Sequence, residues 1–207
     1  MSKLTTADIL DLRAYERVRE DYRRAVMARK RVRRVSVEPI MTLVFESVDT
    51  VRFQIQEMAR VEKIATDEGI QAELDVYNRL LPSPGELSAT LFIELTSEED
   101  LRHWLPRLVG IERAVVFEIR SPGAPTAPVK SIPEAVHAEG LTREGITPAV
   151  HYLRFIFDDA EVAGFGVGPI SLAVQHPEYQ ASTELGEDTR VALLGDLRGQ
   201  TKPLPLA

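Results

Sequence analysis

Residues 87–108 read LSATLFIELTSEEDLRHWLPRL, and this stretch decides the fold class because it joins two different periodicities. From Leu87 to Leu95 apolar residues alternate with mostly polar ones, which is typical of a strand with one buried face. The next four residues, Thr96-Ser97-Glu98-Glu99, match a helix capping box. Apolar residues from Leu101 to Leu108 then recur at helical spacing. A strand that leads into a helix predicts a protein built from both.

The rest of the chain predicts further helices and strands without regular alternation. Helical spacing indicates a basic N-terminal helix that ends near Arg31, one long helix over residues 49–69, a helix directly after it and a last helix that ends near Leu197. Apolar, β-branched runs predict strands over residues 41–46, 114–119, 150–157 and 170–175. We therefore expect an α+β fold, with a mixed or antiparallel sheet of about five strands and helices packed mainly on one face.

Four prolines between residues 122 and 133 suggest a connection rather than a regular element. We expect a helical and sheet lobe over residues 1–120, a proline-rich connection over 121–134, and C-terminal strands and a helix over 135–207 that complete the same domain. The proline-containing tail after Leu197 is expected to be loose.

Composition excludes several classes of function. The chain contains no cysteine, so it has no disulfide, no cysteine nucleophile and no protein-ligated iron–sulfur cluster. No apolar run is long enough to cross a membrane, and the N-terminus lacks the apolar segment of a secretory signal, so a cytoplasmic location is predicted.

Charge is unevenly distributed along the chain. Residues 13–34 carry a net charge of +7, whereas the whole protein has −7. The basic segment is interpreted as a solvated helix face, with an acidic partner as the functional alternative, and Arg23, Arg24 and Arg31 are the candidate partner-binding residues. Binding to nucleic acid is not expected, because counterion release favours surfaces with net positive charge.

Glu62 is the most unusual position in the predicted long helix. It falls on the same helical stripe as Val51, Ile55 and Met58, so a core-facing carboxylate is predicted. A buried carboxylate needs a partner. Arg154, on the predicted strand 150–157, is the proposed partner, and breaking the pair is expected to cost about 3–5 kcal/mol.

The alternative to a structural ion pair is a binding site around Glu62. Carboxylates together with imidazoles suit iron, manganese or zinc. Glu62, His151 and His176 are the candidate metal ligands in this reading. Further candidates for binding a ligand or for a buried polar cluster are Glu57, Glu73 and Tyr77. One Glu-x-x-His sequence, Glu134 to His137, also has a spacing found in di-iron proteins.

Several short motifs together resemble a known family. The motifs are Lys30-x-Val-x-Arg34, Leu43-Val-Phe-Glu46, Phe53-Gln-x-Gln-Glu-Met-x-Arg-x-Glu62, Glu73-x-x-x-Tyr-Asn78, Gly85-Glu-Leu-Ser-Ala-Thr-Leu-x-Ile-Glu94, Leu108-Val-Gly-Ile-Glu-Arg113, Val150-His-Tyr-Leu-Arg-Phe155 and His176-Pro-x-Tyr179. The chain resembles, from about Leu4 to Tyr179, a bacterial family of domains of unknown function, family three-five-zero-one. Members of that family are often encoded beside rubrerythrin-like and iron–sulfur oxidoreductase proteins, so the resemblance implies a role in a redox or peroxide-defence pathway.

Two hypotheses about function follow. The first is an accessory protein that binds a rubrerythrin-like or iron–sulfur redox partner through its basic helix. The second is a metal- or ligand-binding enzyme with a carboxylate, histidine and arginine site.

Overall fold

The computed structural model describes residues 3–121, 124–125, 128–134 and 145–206. Its α-helices are α1 (Leu12–Arg31), α2 (Val48–Glu62), α3 (Asp67–Tyr77), α4 (Glu98–Trp104), α5 (Asp159–Phe165) and α6 (Glu187–Leu197). Its strands are β1 (Arg34–Val37), β2 (Met41–Phe45), β3 (Glu86–Ile93), β4 (Val115–Ser121), β5 (Ala124–Pro125), β6 (Val129–Lys130), β7 (Ile132–Pro133), β8 (Val150–Ile156), β9 (Ile170–His176) and β10 (Tyr179–Glu184). The α+β class and the basic N-terminal helix are confirmed.

The strands form two antiparallel sheets, where the sequence predicted one. The first sheet has the order β1-β2-β3-β8-β7, and the second has the order β10-β9-β4-β5, with β6 also paired to β4. In both sheets a strand from before residue 121 pairs with one from after residue 145: β3 with β8, and β4 with β9. Segments on either side of the proline-rich connection therefore share both sheets.

The main core lies between the two sheets. The apolar residues whose alternation predicted β3 are buried in this core: Leu87, Ala89, Leu91 and Ile93. Aromatic rings cross the interface, since Phe117 of β4 lies 4.9 Å from Phe155 of β8, measured between ring centroids. The opposite face of the first sheet is left for the helices.

Helices α1, α2 and α3 form a layer associated with the outer face of the first sheet. Val51 and Ile55 of α2 pack with Leu74 of α3, and Tyr152, on the outer face of β8, packs against the same cluster. A separate cluster joins α1 to α2. None of the described helices combines the length and the apolar character that a membrane crossing requires.

The predicted long helix over 49–69 is interrupted, which is a correction to the sequence analysis. Helix α2 ends at Glu62 because Lys63 adopts a left-handed conformation with φ 56°. The chain restarts as α3 after Thr66, whose side chain accepts a hydrogen bond from the backbone N–H of Gly69. Gly69 therefore lies in the first turn of α3, and it does not end a helix.

The C-terminal tail is also ordered differently from the prediction. Leu204 and Leu206 pack against the cluster that joins α1 to α2. The backbone N–H of Leu204 donates to Asp49 at 2.8 Å, and Arg52 donates to the carbonyl of Leu204 at 2.6 Å. The expectation of a loose tail is therefore wrong.

Candidate functional site

The outer face of the first sheet and the three helices above it enclose a cleft of about 630 Å³, here called the α1–α3 cleft. Side chains on one face of three neighbouring strands form its floor. Val44, Thr90 and Tyr152 lie in one row across β2, β3 and β8, and Phe92 and Val150 lie in the next. Because side chains alternate between the two faces of a strand, the same strands supply both the core and this floor.

The walls of the cleft come from the helices. Thr50 and Val51 line it from one turn of α2, and Gln54 lines it from the next turn. Tyr77, the last residue of α3, completes this wall together with Leu80 from the turn that follows. The last turn of α1 contributes Lys30 and Arg31, and Arg34 follows at the start of β1.

Glu46 is the acidic residue among the described lining residues of the cleft. Its carboxylate accepts hydrogen bonds from Thr50 Oγ1 at 2.5 Å and from Thr90 Oγ1 at 2.7 Å, so each oxygen has one protein donor. A carboxylate offers about four acceptor positions. Glu46 is thus held in place by two hydroxyls and keeps acceptor capacity for a ligand.

Two tyrosines of the cleft are neutral hydrogen-bonding groups at pH 7. Burial raises the pKa of Tyr77, against the lowering effect of its hydrogen bond with Gln54. Burial also raises the pKa of Tyr152, and the neighbouring Tyr77 and Glu46 add to the effect. Each tyrosine thus offers a ligand an apolar ring and a neutral hydroxyl that can form hydrogen bonds.

The three cationic residues of the cleft differ in their interactions with the rest of the protein. Arg34 pairs with Glu94 at the surface. The ammonium of Lys30 lies 5.8 Å from the centre of the Phe53 ring. Arg31 is exposed and has no hydrogen bond or ion pair with any other described residue. With one carboxylate and three cations, the described lining is net positive in a protein of net charge −7.

Glu62 does not face the core, and the prediction of a buried carboxylate is wrong. It is exposed as the last residue of α2, and the left-handed turn at Lys63 ends the helix directly after it. Burial raises the pKa of Glu73, and the nearby charge of Glu62 raises it further. The charge of Glu62 also raises the pKa of Tyr77.

Arg154 is not the partner of Glu62. Its guanidinium pairs with Glu86 on the neighbouring strand and donates to the carbonyl of Arg79 at 2.7 Å. The pairing follows from the sheet register, in which Ser88 lies opposite Arg154 and Glu86 lies one same-face position away. The predicted ion pair between α2 and β8 is therefore absent.

Glu57 belongs to a polar cluster between α1 and α2. It accepts hydrogen bonds from Arg19 Nε at 2.8 Å and from the Tyr15 hydroxyl at 2.8 Å. Arg19 is the main reason that the pKa of Glu57 is lowered to about 2. Each oxygen of Glu57 has a donor from the neighbouring helix, which indicates a role in helix packing.

The two candidate histidine ligands are buried and hydrogen-bonded within the protein. His151 Nε2 lies 3.1 Å from Thr147 Oγ1, and burial lowers the pKa of His151. His176 Nε2 lies 3.1 Å from the carbonyl of Val109, and Nδ1 accepts from the backbone N–H of Glu178. Over the described ranges, no group of three or more His, Asp or Glu is arranged to hold a metal ion. Of the other candidate motif, Glu134 is described and His137 lies outside the described residues.

The three candidate partner-binding arginines are all exposed on α1. Arg24 forms a surface pair with Asp21 at 3.3 Å. Arg23 has no ion pair with another residue in the described part of the chain. Arg31 differs from both because it lines the α1–α3 cleft.

Several residues of the cleft were not selected from the sequence. Glu46, Thr90 and Tyr152 come from three different strands, and their meeting depends on the order β2-β3-β8. Two signals were present: Glu46 directly follows an apolar strand, and Tyr152 occupies the polar face of β8. Neither signal gives the strand order, so the site could not be assembled from them.

Comparison with known proteins supports the family and the fold. The family model described as "Protein of unknown function (DUF3501)" matches residues 3–197. A crystal structure from Burkholderia pseudomallei K96243, described as a novel protein of unknown function, is 40% identical to this chain with a TM-score of 0.85. The match covers 95% of this chain and 100% of that one. No curated protein matches. The chain therefore belongs to the DUF3501 family of proteins of unknown function.

Proposed function

We propose that this protein binds a small organic molecule in the α1–α3 cleft. The observation that carries the proposal is the cleft itself, whose volume of about 630 Å³ lies within the size range of small-molecule sites. Its lining is also typical of such sites, with apolar and aromatic surface and a few polar groups that converge on the same space.

The position of the cleft supports the proposal. Its floor is the middle of the first sheet, and the other face of those strands belongs to the main core, so the floor is rigid. Glu46 is fixed by two hydroxyls, so the carboxylate of the cleft is held in place before a ligand arrives. Such preorganisation reduces the entropy cost of binding.

The proposed site differs in composition from the one expected from the sequence. The carboxylate of the cleft is Glu46 and its arginines are Arg31 and Arg34. Glu62 and Arg154 are not among its described lining residues, and neither are His151 and His176. The arrangement favours a binding function, which requires hydrogen bonds and shape and does not require an acid–base pair.

A filled-cleft variant tests the proposal. The probe is neutral N-phenyl-1-naphthylamine, whose fluorescence rises in an apolar site. Val150→Trp places an indole on the floor of the cleft, and Ile156→Trp places one on the exposed end of the same face of β8. We expect saturable binding to the wild type and to Ile156→Trp, and binding weaker by about tenfold or more in Val150→Trp. Equal binding by all three folded proteins would reject the cleft as the site.

A second candidate function is an accessory role in a redox or peroxide-defence pathway in the cytoplasm. Arg23 and Arg24 support this candidate, because both are exposed on α1 and are available to an acidic surface of a rubrerythrin-like or iron–sulfur protein. Pull-down from native extract at low and high salt tests it. We expect the wild type to recover a redox protein and the double variant Arg23→Glu/Arg24→Glu to recover none. Equal recovery by both proteins would reject this candidate function.

Binding of iron, manganese or zinc also stays a proposal. Elemental analysis of protein purified without a histidine tag tests it, with Glu62→Gln as the informative variant. Metal at one equivalent that falls in this variant would support it, and substoichiometric metal in both proteins would reject it.

A further inference from the structure

The distribution of charge around the α1–α3 cleft indicates what kind of molecule it takes. We propose that the ligand is an organic anion, with a carboxylate, phosphate or similar group that binds to the guanidinium of Arg31. This inference rests on the proposed function of the cleft and adds the charge of the ligand to it.

The first step in the argument is the balance of charge. The protein as a whole is acidic, with net charge −7, so an average surface of this molecule repels anions. The cleft has the opposite character, because its described lining holds three cations, Lys30, Arg31 and Arg34, and one carboxylate, Glu46. An anion that approaches this protein is therefore attracted to the cleft, as it is to the rest of the basic segment 13–34, in preference to the acidic remainder of the surface.

The second step is that the carboxylate of the cleft does not neutralise its cations. The oxygens of Glu46 accept from Thr50 and Thr90, and Glu46 has no ion pair with a described residue. Arg34 is paired with Glu94, which is not one of the described lining residues. Lys30 lies over the ring of Phe53. The lining thus keeps a positive group that is free to bind a ligand.

That free group is Arg31. Within the described part of the chain its guanidinium has neither a hydrogen-bond partner nor an ion-pair partner, although it borders the cleft. A guanidinium presents five N–H donors and binds a carboxylate or a phosphate through two of them. An anionic group at Arg31, with its apolar body over Phe92 and Val150, satisfies both the charge and the apolar surface of the site.

Glu46 restricts the same ligand at a second position. Its remaining acceptor capacity favours a hydrogen-bond donor, such as a hydroxyl or an amino group, on the body of the ligand. A ligand with a second anionic group directed at Glu46 is disfavoured by repulsion. The preferred ligand class is therefore an organic anion with one anionic group and, elsewhere on the molecule, a hydrogen-bond donor.

A matched pair of probes tests the inference. The anionic probe is 8-anilino-1-naphthalenesulfonate, and the neutral one is N-phenyl-1-naphthylamine, which has the same ring system without the sulfonate. Both are titrated against the wild type in low salt by fluorescence and by calorimetry. We expect the anionic probe to bind about tenfold more tightly than the neutral probe, and this ratio to fall as sodium chloride is added.

Variants locate the charge that is responsible. Arg31→Gln is expected to weaken the anionic probe about fivefold and to leave the neutral probe unchanged. Arg23→Gln is the matched control, because it removes an exposed arginine of the same helix that does not line the cleft, and it should change neither affinity. Glu46→Gln should strengthen the anionic probe, since it removes the negative charge of the lining.

The possible results separate the two proposals. If the neutral probe binds in the cleft but the two probes have equal affinity, or if Arg31→Gln and Arg23→Gln behave alike, the anion inference is rejected and the binding function stands. If Val150→Trp leaves both probes unaffected, the cleft is not the site, and the inference is rejected together with the proposed function.

Discussion

Arg33, and not Glu62, is a buried charged residue, since it is 2% exposed at the junction of α1 and β1. Its guanidinium pairs with Asp196 of α6, a carboxylate that is equally buried. The Nε of Arg33 has no partner among the described residues. The folded state depends strongly on this ion pair, because water cannot reach the buried guanidinium to take the place of Asp196.

Removal of one member of this pair is expected to be costly. Asp196→Asn leaves the charge of Arg33 buried and should lower the free energy of unfolding by about 3–5 kcal/mol. Urea unfolding at pH 7 measures the effect. Arg34→Ala is the control on the adjacent residue, since its pair with Glu94 is about half exposed, and it should cost at most about 1 kcal/mol. Equal losses in the two variants would contradict this account of the buried pair.

Glu62 should now behave as a surface residue. Glu62→Ala is expected to change the free energy of unfolding by no more than about 0.5 kcal/mol, because the side chain is exposed and lies near the like charge of Glu73. Thermal and urea melts of the variant measure this. A loss of several kcal/mol would restore the earlier interpretation of a buried carboxylate.

The interpretation of Glu62 failed for a definite physical reason. Helical periodicity assumes that the helix continues, and the stripe from Val51 to Ala59 does face the interior. The backbone changes direction at Lys63, a residue type with no strong preference for a left-handed conformation. Periodicity therefore placed Val51 and Ile55 correctly on the buried face of α2, but Gln56, off the predicted stripe, is buried and Met58, on it, is half-buried. It could not predict where the helix ends.

At the scale of the elements, the contact between α1 and α2 should make the free energy of unfolding depend on pH in the acid range. Glu57 has a folded pKa of about 2, below its ordinary value of 4.5, chiefly because Arg19 donates to it. A lowered pKa stabilises the fold above pH 4.5, and the contribution is lost as pH falls from about 4.5 to about 2. We expect Glu57→Gln to be less stable than the wild type at pH 6, by about 2 kcal/mol, and the difference to shrink over this window. A difference that is constant from pH 6 to pH 2 would contradict the assignment.

The C-terminal tail provides a second prediction at this scale. Leu204 is half-buried against the cluster of Tyr15, Tyr22 and Phe53, and its backbone contacts Asp49 and Arg52. Leu204→Ala should lower the free energy of unfolding by about 1–2 kcal/mol through lost apolar contact. Pro205→Ala changes an exposed neighbour and serves as the control in the same chemical denaturation series. Equal stability of the two variants would indicate that the tail does not contribute to the fold.

Element type was predicted better than element contacts. The β3 alternation and the apolar stripe of α1 are local patterns, and local patterns are enough to identify a strand or a helix. The second sheet, the anchored tail and the pairing of Arg154 with Glu86 all depend on residues far apart in the chain. A single sequence contains no direct signal for such contacts.

At the scale of the whole molecule, the fold produces the cleft by using both faces of one sheet. The inner face of the first sheet is buried against the second sheet, while α1, α2 and α3 cover the outer face incompletely. The space that remains is lined by residues from three helices, four strands and their connections, including Glu46, Thr90 and Arg31. Its composition could be predicted only in part, since Tyr77 was selected from the sequence and Glu46 was not.

The central claim is that the α1–α3 cleft is a ligand site, and a crystal structure of the protein with 8-anilino-1-naphthalenesulfonate tests it most directly. We predict that the rings lie over Phe92 and Val150 and that the sulfonate contacts the guanidinium of Arg31. Density for the probe elsewhere on the molecule, with the cleft occupied by solvent alone, would contradict the claim.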